Sequence, residues 1–517
     1  MEFDYVIVGA GSAGCVLAGR LSEDPGVTVA LLEAGGPDKK REVKVPAAFA
    51  KLFKTECDWN YSTVAQPELA GRELYWPRGR MLGGSSSMNA MMWVRGTRAD
   101  YDGWNVPGWS YDEVLPYFKK AERREGGDRG GVYGTGGPLW ISEQRSPNAS
   151  TLAFLEACQA QGMTRLPEPN GDTNEGCAQT PVSQRRGQRW STADGYLRPA
   201  RKRANLTVLT GAHAKRIVIE NGRATAVEYG DTRVTARREV VLSAGAVGSP
   251  HLLMLSGVGD PDHLRDVGVE PVHELPAVGE HLADHLATAV TRHCPEPITL
   301  ATAETLPNLA RYLLARRGPF TSNVGEAVAF LRSGDDQPAP DLELIFAPVP
   351  FIEHGLRPPA GHGVTIGVVL LRPESTGRIR LASADPAAPP VIDPRYLSAD
   401  EDLPRIMHGL RKAEELLATA PLKRYAAGCM DPYPEGAEDD EVLAEYVREH
   451  AETLYHPAGT CRMGTGEDSV VDPELRVRGI EGLRVADASV MPSLNRGHTN
   501  APAIMIGEKA ADLIRSA

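Results

Sequence analysis

The first forty residues constrain the fold of this chain more than any other segment. Residues 3–8 and 28–32 are short β-branched or aromatic runs, typical of buried strands. Between them lie the turn Gly9-Ala10-Gly11-Ser12-Ala13-Gly14 and an apolar stripe with helical spacing, and Glu33 follows the second run. Strand, G-x-G-x-x-G, helix, strand and acid in this order are typical of a dinucleotide-binding βαβ unit. The sequence therefore predicts an α/β fold with an adenine dinucleotide bound at this turn.

Each position of the turn has a physical role. Gly9 permits the tight bend, Gly11 lets the backbone approach a pyrophosphate, and Gly14 allows the helix to pack closely on the strand. The first helical turn, at Ser12 and Ala13, offers unpaired N–H groups and the positive end of the helix dipole. Glu33 can accept hydrogen bonds from ribose hydroxyls. This segment alone does not separate FAD from NAD.

Charge and composition exclude several other classes of protein. The chain has 56 basic and 68 acidic side chains, a net charge of −12, and no basic run that would form a nucleic-acid-binding face. Its seven cysteines include no C-x-x-C pair, which argues against a disulfide framework or a zinc site. No stretch approaches the roughly 20 apolar residues of a membrane-spanning helix, and the first strand leaves no room for a signal peptide. We therefore expect a cytoplasmic protein without an integral membrane segment or a nucleic-acid partner.

Two further blocks are rich in glycine. Residues 77–97 contain Gly83, Gly84 and three serines, a composition that suits backbone lying against a flat ring or a pyrophosphate. Taken alone, the same residues equally describe a glycine turn followed by a helix cap. Residues 239–244 predict a buried strand, residues 245–248 a turn, and Ser249-Pro250 a helix cap with a first-turn proline. An amphipathic helix is predicted near residues 403–417.

The C-terminal block carries the residues that suit redox chemistry. It contains His456-Pro457-Ala458-Gly459-Thr460, a strand-like run at 483–486 followed by Asp487-Ala488, and the segment Asn495 to Pro502. Pro502 is predicted to lie in the first turn of the last helix. These blocks, in this order over nearly the whole chain, resemble the glucose–methanol–choline (GMC) oxidoreductase family.

The resemblance implies FAD and a fold in two interleaved lobes. A Rossmann-like FAD-binding lobe would take residues 1–150, 205–290 and 450–517. A sheet-based α+β substrate lobe would take residues 151–204 and 291–449. Family members with covalently bound flavin carry a histidine at the position of Met88, and a thioether cannot form that linkage, so the FAD is expected to be noncovalent.

The resemblance also assigns residues to roles. His456 matches the family's base at the reactive edge of the flavin, and Asn500 matches its partner. The expected cofactor-binding positions are Gly9, Gly11, Ser12, Ala13, Gly14, Glu33, Ala34, Arg80, Gly83, Ser87, Asn89, Ala214, Asp487, Ala488 and His498. We expect His498 to line the flavin site rather than to act as a second base.

The chemistry explains these residue types. Oxidation of an alcohol removes the O–H proton and delivers hydride from carbon to flavin N5, so a base within hydrogen-bond reach is required. A histidine, with an ordinary pKa of about 6.5, can serve near neutral pH. Asn500 can hold the substrate oxygen while staying uncharged. We therefore predict oxidation of a primary alcohol, aryl or aliphatic, to the aldehyde, and the electron acceptor is left open.

Two alternatives to alcohol oxidation remain. Relatives that keep FAD but change the chemistry make a redox-silent lyase or a photodecarboxylase the second hypothesis. A flavoprotein whose task is binding or assembly is the third, and the pair His456 and Asn500 argues against it. His281 and His285 have a spacing that would suit a metal on a helix, but no third ligand lies nearby, so no metal is predicted.

Overall fold

The computed structural model describes residues 1–128, 130–171 and 173–517. Its strands are, in chain order, β1 (Glu2–Val8), β2 (Val29–Glu33), β3 (Tyr61–Ser62), β4 (Tyr75–Trp76), β5 (Glu122–Arg124), β6 (Leu139–Ile141), β7 (Gly176–Gln179), β8 (Gln184–Arg185), β9 (Gln188–Arg189), β10 (Leu206–Thr210), β11 (Ala214–Glu220), β12 (Arg223–Tyr229), β13 (Thr232–Leu242), β14 (Val258–Gly259), β15 (His273–Glu274), β16 (Leu286–His293), β17 (Ala327–Leu331), β18 (Leu342–Ala347), β19 (Gly363–Leu370), β20 (Arg378–Arg380), β21 (Val391–Asp393), β22 (Glu452–Thr453) and β23 (Leu483–Val485).

The α-helices of the described residues alternate with these strands along the chain. They are α1 (Ser12–Leu21), α2 (Arg41–Lys44), α3 (Arg98–Asp102), α4 (Tyr111–Ala121), α5 (Ala149–Ala160), α6 (Arg198–Ala200), α7 (Gly245–Leu255), α8 (Pro261–Asp266), α9 (Leu306–Ala315), α10 (Asp402–Leu417), α11 (Ala420–Lys423), α12 (Asp440–His450) and α13 (Asn500–Ser516). None of the helices in the part of the chain that the structure describes is long and apolar enough to cross a membrane. The location of the protein stays a prediction from the sequence.

The first sheet contains the predicted βαβ unit. Its strand order is β10-β2-β1-β13-β12-β11, with β23 beside β13. Strand β1 lies parallel to both β2 and β13, whereas β12 and β11 return antiparallel. All five residues of β2 are buried, as expected for a parallel strand covered on both faces. The structure confirms the predicted strands at 3–8, 28–32, 239–244 and 483–486 to within a few residues, and with them the α/β fold.

The glycine-rich turn between β1 and α1 depends on close backbone contacts. Gly9 has a φ of +97°, in the left-handed region that favours glycine. A Cβ atom on Gly14 would lie 1.9 Å from the Gly9 carbonyl oxygen. Any side chain at Gly14 would therefore push α1 away from the end of β1, which is the packing role that the sequence assigned to this glycine.

The second sheet is built differently. Its order is β22-β16-β19-β18-β17-β7, and every neighbouring pair is antiparallel. The predicted amphipathic helix is present as α10 and packs on this sheet, where a Cβ atom on Gly409 would lie 2.4 Å from Val368 Cγ1. The opposite face of the sheet looks towards the first sheet. This arrangement gives the two-layered frame in which the site described below is formed.

Sheet membership bears on the proposed lobe boundaries. Strands β16 and β22 belong to the second sheet, although most of β16 and all of β22 fall in segments that we assigned to the FAD lobe. The chain therefore crosses between the sheets near residues 286 and 454. The division into two lobes stays a proposal, and both crossings lie inside segments that were assigned to the FAD-binding lobe.

The start of one helix, α7, differs from the sequence prediction. Helix α7 begins at Gly245 rather than at the predicted Ser249-Pro250 cap, and Pro250 lies inside the helix. The cap comes from a distant residue, because Asp487 Oδ2 accepts hydrogen bonds from Gly245 N at 2.9 Å and Ser249 Oγ at 2.6 Å. Pro250 has no N–H for the Ala246 carbonyl, and Thr460 Oγ1 donates to that oxygen instead, at 2.6 Å.

Candidate active site

A cavity of about 480 Å³ lies where the carboxyl ends of the first sheet's parallel strands face the second sheet. This volume is within the roughly 300–1,000 Å³ of small-molecule and cofactor sites. The predicted site residues that line it are Gly9, Gly11, Ser12, Ala13, Glu33, Ala34, Asn89, Ala214, His456, Asp487, Ala488, His498 and Asn500. The fold thus brings together residues that are almost five hundred positions apart in sequence.

Four of the predicted cofactor positions lie behind the cavity wall instead of on it. They are Gly14, Arg80, Gly83 and Ser87. The Ser87 hydroxyl donates to the Leu82 carbonyl at 2.8 Å, and the Gly83 N–H donates to the Ala10 carbonyl at 2.7 Å. The Arg80 guanidinium lies 5.0 Å from the ring centroid of Trp59, which does line the cavity. These residues shape the wall, and their expected contact with the cofactor stays a prediction.

The loop at 77–97 contains a glycine turn followed by a helical turn, whereas its contact with a flat ring or a pyrophosphate stays a prediction. Gly83 and Gly84 form a turn with positive φ values, and a 3₁₀ helix, Gly84–Ser87, follows. A Cβ atom on Gly84 would lie 2.7 Å from Gly11 Cα, so this loop touches the first glycine-rich turn. Only glycine allows these two backbone segments to meet beside the cavity.

The polar groups of the cavity fit a dinucleotide. The N-termini of α1, α7 and α13 all line it, through Ser12, Gly245 and Asn500. Helix N-termini present unpaired N–H groups and positive dipole ends, which suit an anionic pyrophosphate and an anionic reduced flavin. Helix α13 begins at Asn500, so that Pro502 lies in its first turn as predicted.

Glu33 has a more specific environment than the sequence indicated. Its carboxylate accepts hydrogen bonds from Ala10 N at 2.9 Å and from Gly35 N at 2.8 Å. Burial raises the pKa of Glu33 to about 7. The carboxyl group therefore holds the glycine-rich turn in shape, and its expected contact with a ribose stays a prediction.

The backbone N–H of His456 is held by the buried carboxylate of Asp284. The His456 N–H donates to Asp284 Oδ1 at 2.7 Å, and Asp284 also accepts hydrogen bonds from the hydroxyls of Thr453 and Tyr396. Asp284 is 3% exposed. This network fixes the start of the 456–464 block against the second sheet.

A neighbouring histidine fixes the tautomer of His456. The Leu371 carbonyl lies 3.1 Å from His285 Nε2 and can only accept, so this nitrogen carries the His285 proton. Burial lowers the pKa of His285 to about 3, and its ring is neutral with a lone pair on Nδ1. His285 Nδ1 lies 3.0 Å from His456 Nδ1, so His456 must donate its Nδ1–H there. The Nε2 atom of a neutral His456 is consequently the unprotonated, basic nitrogen.

The surroundings of His456 favour its neutral form. Burial, and then the nearby His498, His285 and Arg78, hold its pKa well below the ordinary histidine value. A neutral imidazole is the form that accepts a proton. The His456 ring is therefore neutral at neutral pH and can accept a proton.

The structure places Asn500, the predicted partner of His456, and His498, which was expected to line the flavin site, differently. The His498 ring centroid lies 5.0 Å from that of His456, and His498 Nε2 donates to the buried carboxylate of Glu343 at 3.1 Å. Asn500 Oδ1 accepts from the Ser12 hydroxyl at 2.7 Å, in the glycine-rich turn. His498 is thus the side chain packed against His456, whereas Asn500 joins α13 to α1.

Sequence reasoning missed the roles of His285 and Glu343. The sequence suggested His285 only as a possible metal ligand, because His281 and His285 have a spacing that would place them on one face of a helix. In the structure residues 281–285 are not helical, with Leu282 bridging Gly377 and Ala283 bridging Ala458, so His281 and His285 do not share a helical face. Among the residues that the structure describes, no group of three potential metal ligands is present. Glu343 lies in a strand without a motif, and no pattern in the sequence pointed to it.

A cradle suited to a dinucleotide at one end of the cavity and a neutral, oriented histidine at the other fit a flavin-dependent oxidoreductase. Comparison with known proteins gives the family. Two family models described as GMC oxidoreductase match residues 3–287 and 373–507. The chain belongs to the GMC oxidoreductase family, and it is an FAD-dependent alcohol oxidoreductase by class.

Several curated proteins resemble the chain over its whole length. An uncharacterized GMC-type oxidoreductase of Mycobacterium tuberculosis is 55% identical over 530 residues, covering 100% of this chain and 99% of the relative. An alcohol dehydrogenase [acceptor] of Pseudomonas putida is 41% identical and covers 99% of this chain and 95% of its own length. An oxygen-dependent choline dehydrogenase of Brucella ovis is 40% identical, with 99% and 96% covered.

Solved structures share the fold. Pyridoxine 4-oxidase from Mesorbium loti superposes with a TM-score of 0.90 at 32% identity, covering 100% of this chain and 99% of the other. A variant of formate oxidase from Aspergillus oryzae gives 0.92 at 29% identity, with 100% and 98% covered. The predicted fold class is confirmed by these neighbours.

Proposed function

We propose that the protein oxidises an apolar primary alcohol, aryl or aliphatic, to the aldehyde, with His456 as the base. One observation carries the proposal: the chain of hydrogen bonds from Leu371 through His285 leaves His456 Nε2 unprotonated beside the cavity. FAD, when bound, supplies the two-electron acceptor that takes hydride at N5. The chain's own residues bind the alcohol, remove its hydroxyl proton and exclude water.

His456 and His498 would hold the reacting oxygen between them. A substrate hydroxyl that donates to His456 Nε2 would lose its proton there, which lowers the cost of releasing hydride from the adjacent carbon. His498 is fixed by Glu343, so its ring position is set independently of the substrate. We propose that Asn500 contributes through the N-terminus of α13, where it also binds Ser12.

The walls around the reacting position favour an apolar substrate. The second sheet presents small or aliphatic side chains to the cavity, namely Ala287, Ala289, Ile345, Ala347, Gly367 and Val369. The carboxylates among the described lining residues are Glu33, Glu353, Glu452 and Asp487. Glu33 and Asp487 bind the glycine-rich turn and α7, and Glu452 pairs with His354. Glu353 has a largely exposed side chain and lies 4.0 Å from Arg357. With no unpaired carboxylate among these four to balance a quaternary ammonium group deep in the cavity, the protein should prefer alkyl or benzyl alcohols to choline.

We further propose that FAD is bound without a covalent link. Met88 lines the cavity and packs in an apolar cluster with Phe49, Phe53 and Met81. A thioether in this position adds packing area but no nucleophilic nitrogen. Denaturing the purified protein should release all flavin into the supernatant, and flavin retained by the precipitated chain would contradict this proposal.

The function is tested by anaerobic reduction. Holoenzyme mixed with a panel of alcohols should lose flavin absorbance with alkyl or benzyl alcohols, and His456→Ala should reduce that rate by roughly 10²–10⁴-fold. His408→Ala, at a half-buried α10 histidine that does not line the cavity, is the matched control and should leave the rate unchanged. Admitting air afterwards distinguishes an oxidase from a dehydrogenase. Bound FAD that no alcohol reduces would overturn the proposal in favour of the lyase or photodecarboxylase.

A further inference from the structure

Helix α9 exposes an unusual amount of apolar surface. Leu306, Leu309, Leu313 and Leu314 are 81%, 41%, 58% and 89% exposed. These four account for much of the exposed large apolar surface among the described residues, and they lie in one helix of ten residues. Contiguous exposed apolar patches mark sites of interaction.

The four leucines share one face of the helix. At 3.6 residues per turn, positions 306, 309, 313 and 314 form a stripe on either side of Ala310, about 12 Å long. The opposite face attaches the helix to the protein. There Tyr312 is 2% exposed, its ring centroid lies 5.8 Å from that of Phe320, and Asn308 Nδ2 donates to the Ala303 carbonyl at 3.1 Å. The leucine stripe therefore points away from the molecule.

Positive charge borders this stripe. Arg311, Arg316 and Arg317 lie on or directly after α9, and the one acidic residue between positions 303 and 320 is Glu304, which pairs with Lys51. The Arg316 guanidinium stacks 4.8 Å from the Tyr312 ring centroid. This local excess of positive charge contrasts with the net charge of −12 for the whole chain. We call the four leucines with Arg311 and Arg317 the α9 surface.

We propose that the α9 surface docks the enzyme onto an anionic lipid bilayer, with α9 lying in the plane of the interface. Helices with an apolar face and arginines at its border insert about 5–10 Å into the headgroup region. The arginine stems would extend outwards to the lipid phosphates. A second copy of the chain fits less well, since a symmetric contact would bring the arginines of both copies together.

The position of α9 relative to the cavity determines what docking would bring close to the bilayer. The chain entering α9 is tied to the cavity rim by the hydrogen bond from Leu300 N to the Pro348 carbonyl, at 2.8 Å. The chain leaving α9 reaches Asn323 and Val324, which line the cavity. Docking through α9 would therefore bring the cavity close to a bilayer in which apolar molecules are dissolved. The docking itself rests on the exposed leucines and arginines, independently of the proposed reaction.

Vesicle sedimentation of the holoenzyme tests this proposal. We expect the protein to sediment with vesicles of phosphatidylglycerol and phosphatidylcholine, and much less with phosphatidylcholine alone. The double variant Leu306→Gln/Leu314→Gln should weaken sedimentation by about tenfold or more, because two inserted side chains are lost. Arg311→Ser/Arg317→Ser should weaken binding to the anionic vesicles and flatten its dependence on salt.

A matched control distinguishes docking through α9 from nonspecific adsorption to vesicles. Val272 is 54% exposed and lies outside α9, so Val272→Gln should sediment like the wild type. All variants should keep their FAD content, because the substituted side chains are exposed. Equal sedimentation of the leucine variant and the wild type would overturn the proposal. So would an absence of vesicle binding together with a dimer in analytical ultracentrifugation that the leucine variant abolishes, which would assign the α9 surface to self-association.

Discussion

At the scale of single residues, His456 depends on a partner that touches no substrate. Its Nδ1 donates to His285 Nδ1, and His285 in turn donates to the Leu371 carbonyl. A base whose tautomer is fixed in this way always presents the same nitrogen to the alcohol. Removing the acceptor would let the proton move to Nε2 in part of the molecules, which would block the base there.

We therefore expect His285→Ala to slow flavin reduction by alcohols by about tenfold or more, with FAD content unchanged. His285→Asn, whose amide oxygen can accept from His456 Nδ1, should recover part of the rate. Rapid-mixing absorbance measurements give both values. A purely structural role for His285 would lower FAD content or folding yield in both variants and would show no recovery with asparagine.

We expect the pKa of His456 to set the pH dependence of the proposed reaction. Because its pKa lies well below the ordinary value of about 6.5, the base is neutral, and active, at neutral pH and down through that value. The rate of flavin reduction should stay nearly constant as pH falls from 8 to about 6, and should decrease only at more acidic pH. A rate that halves near pH 6.5 would contradict a depressed pKa.

Among the secondary-structure elements, helix α7 is capped at its start by Asp487, a residue from a distant part of the chain. Asp487 accepts from Gly245 N and Ser249 Oγ, and it also lines the cavity. The short loop after β23 therefore determines where a helix after β13 starts. This explains why local sequence around Ser249-Pro250 predicted the wrong start.

Substitution of Asp487 should test this cap. We expect Asp487→Ala to lower the free energy of unfolding by about 1–2 kcal/mol, through loss of the cap and of buried hydrogen bonds. Asp487→Asn keeps one acceptor oxygen and should lose less. Urea unfolding of the two variants beside the wild type gives the comparison, and equal stability of all three would contradict the assignment.

The first βαβ turn offers a second test at the same scale. Gly14→Ala would place a Cβ atom 1.9 Å from the Gly9 carbonyl oxygen, so α1 must shift from β1. The variant should be strongly destabilised and purify with little FAD. Gly36→Ala is the matched control, since a Cβ atom there meets nothing within 4 Å, and it should retain FAD and stability.

At the scale of the whole molecule, the active site is made by two sheets and buries several neutral histidines. His285 and His251 have pKa values lowered by burial to about 3 and about 4, and the pKa of His456 is lowered as well. Each takes up a proton in the unfolded chain below about pH 6.5 but not in the folded protein. The unfolded state then binds more protons, and folding becomes less favourable as pH falls.

Glu33, whose pKa is raised by burial to about 7, takes up a proton in the folded protein over the same interval and opposes this effect, so the contribution of one histidine must be measured by difference. His251→Gln removes one of these histidines and should reduce the loss of stability on acidification relative to the wild type, whatever its effect on stability at pH 7. Fluorescence-monitored unfolding at a series of pH values measures both. The same pH dependence in His251→Gln as in the wild type would contradict a neutral, buried His251.

Short motifs, whose local spacing already fixes their chemistry, were enough to predict the βαβ unit and the family, whereas the assignment of His456 as the base stays a prediction. The sequence also predicted α10 from its periodicity and the final helix from Pro502. Only the tertiary structure decided which side chains meet: His285 and His498 at His456, Glu343 behind His498, and Asp487 at the start of α7. Each of these contacts joins residues on separate elements, and their distances depend on how two sheets pack. No local sequence pattern predicts how the two sheets pack.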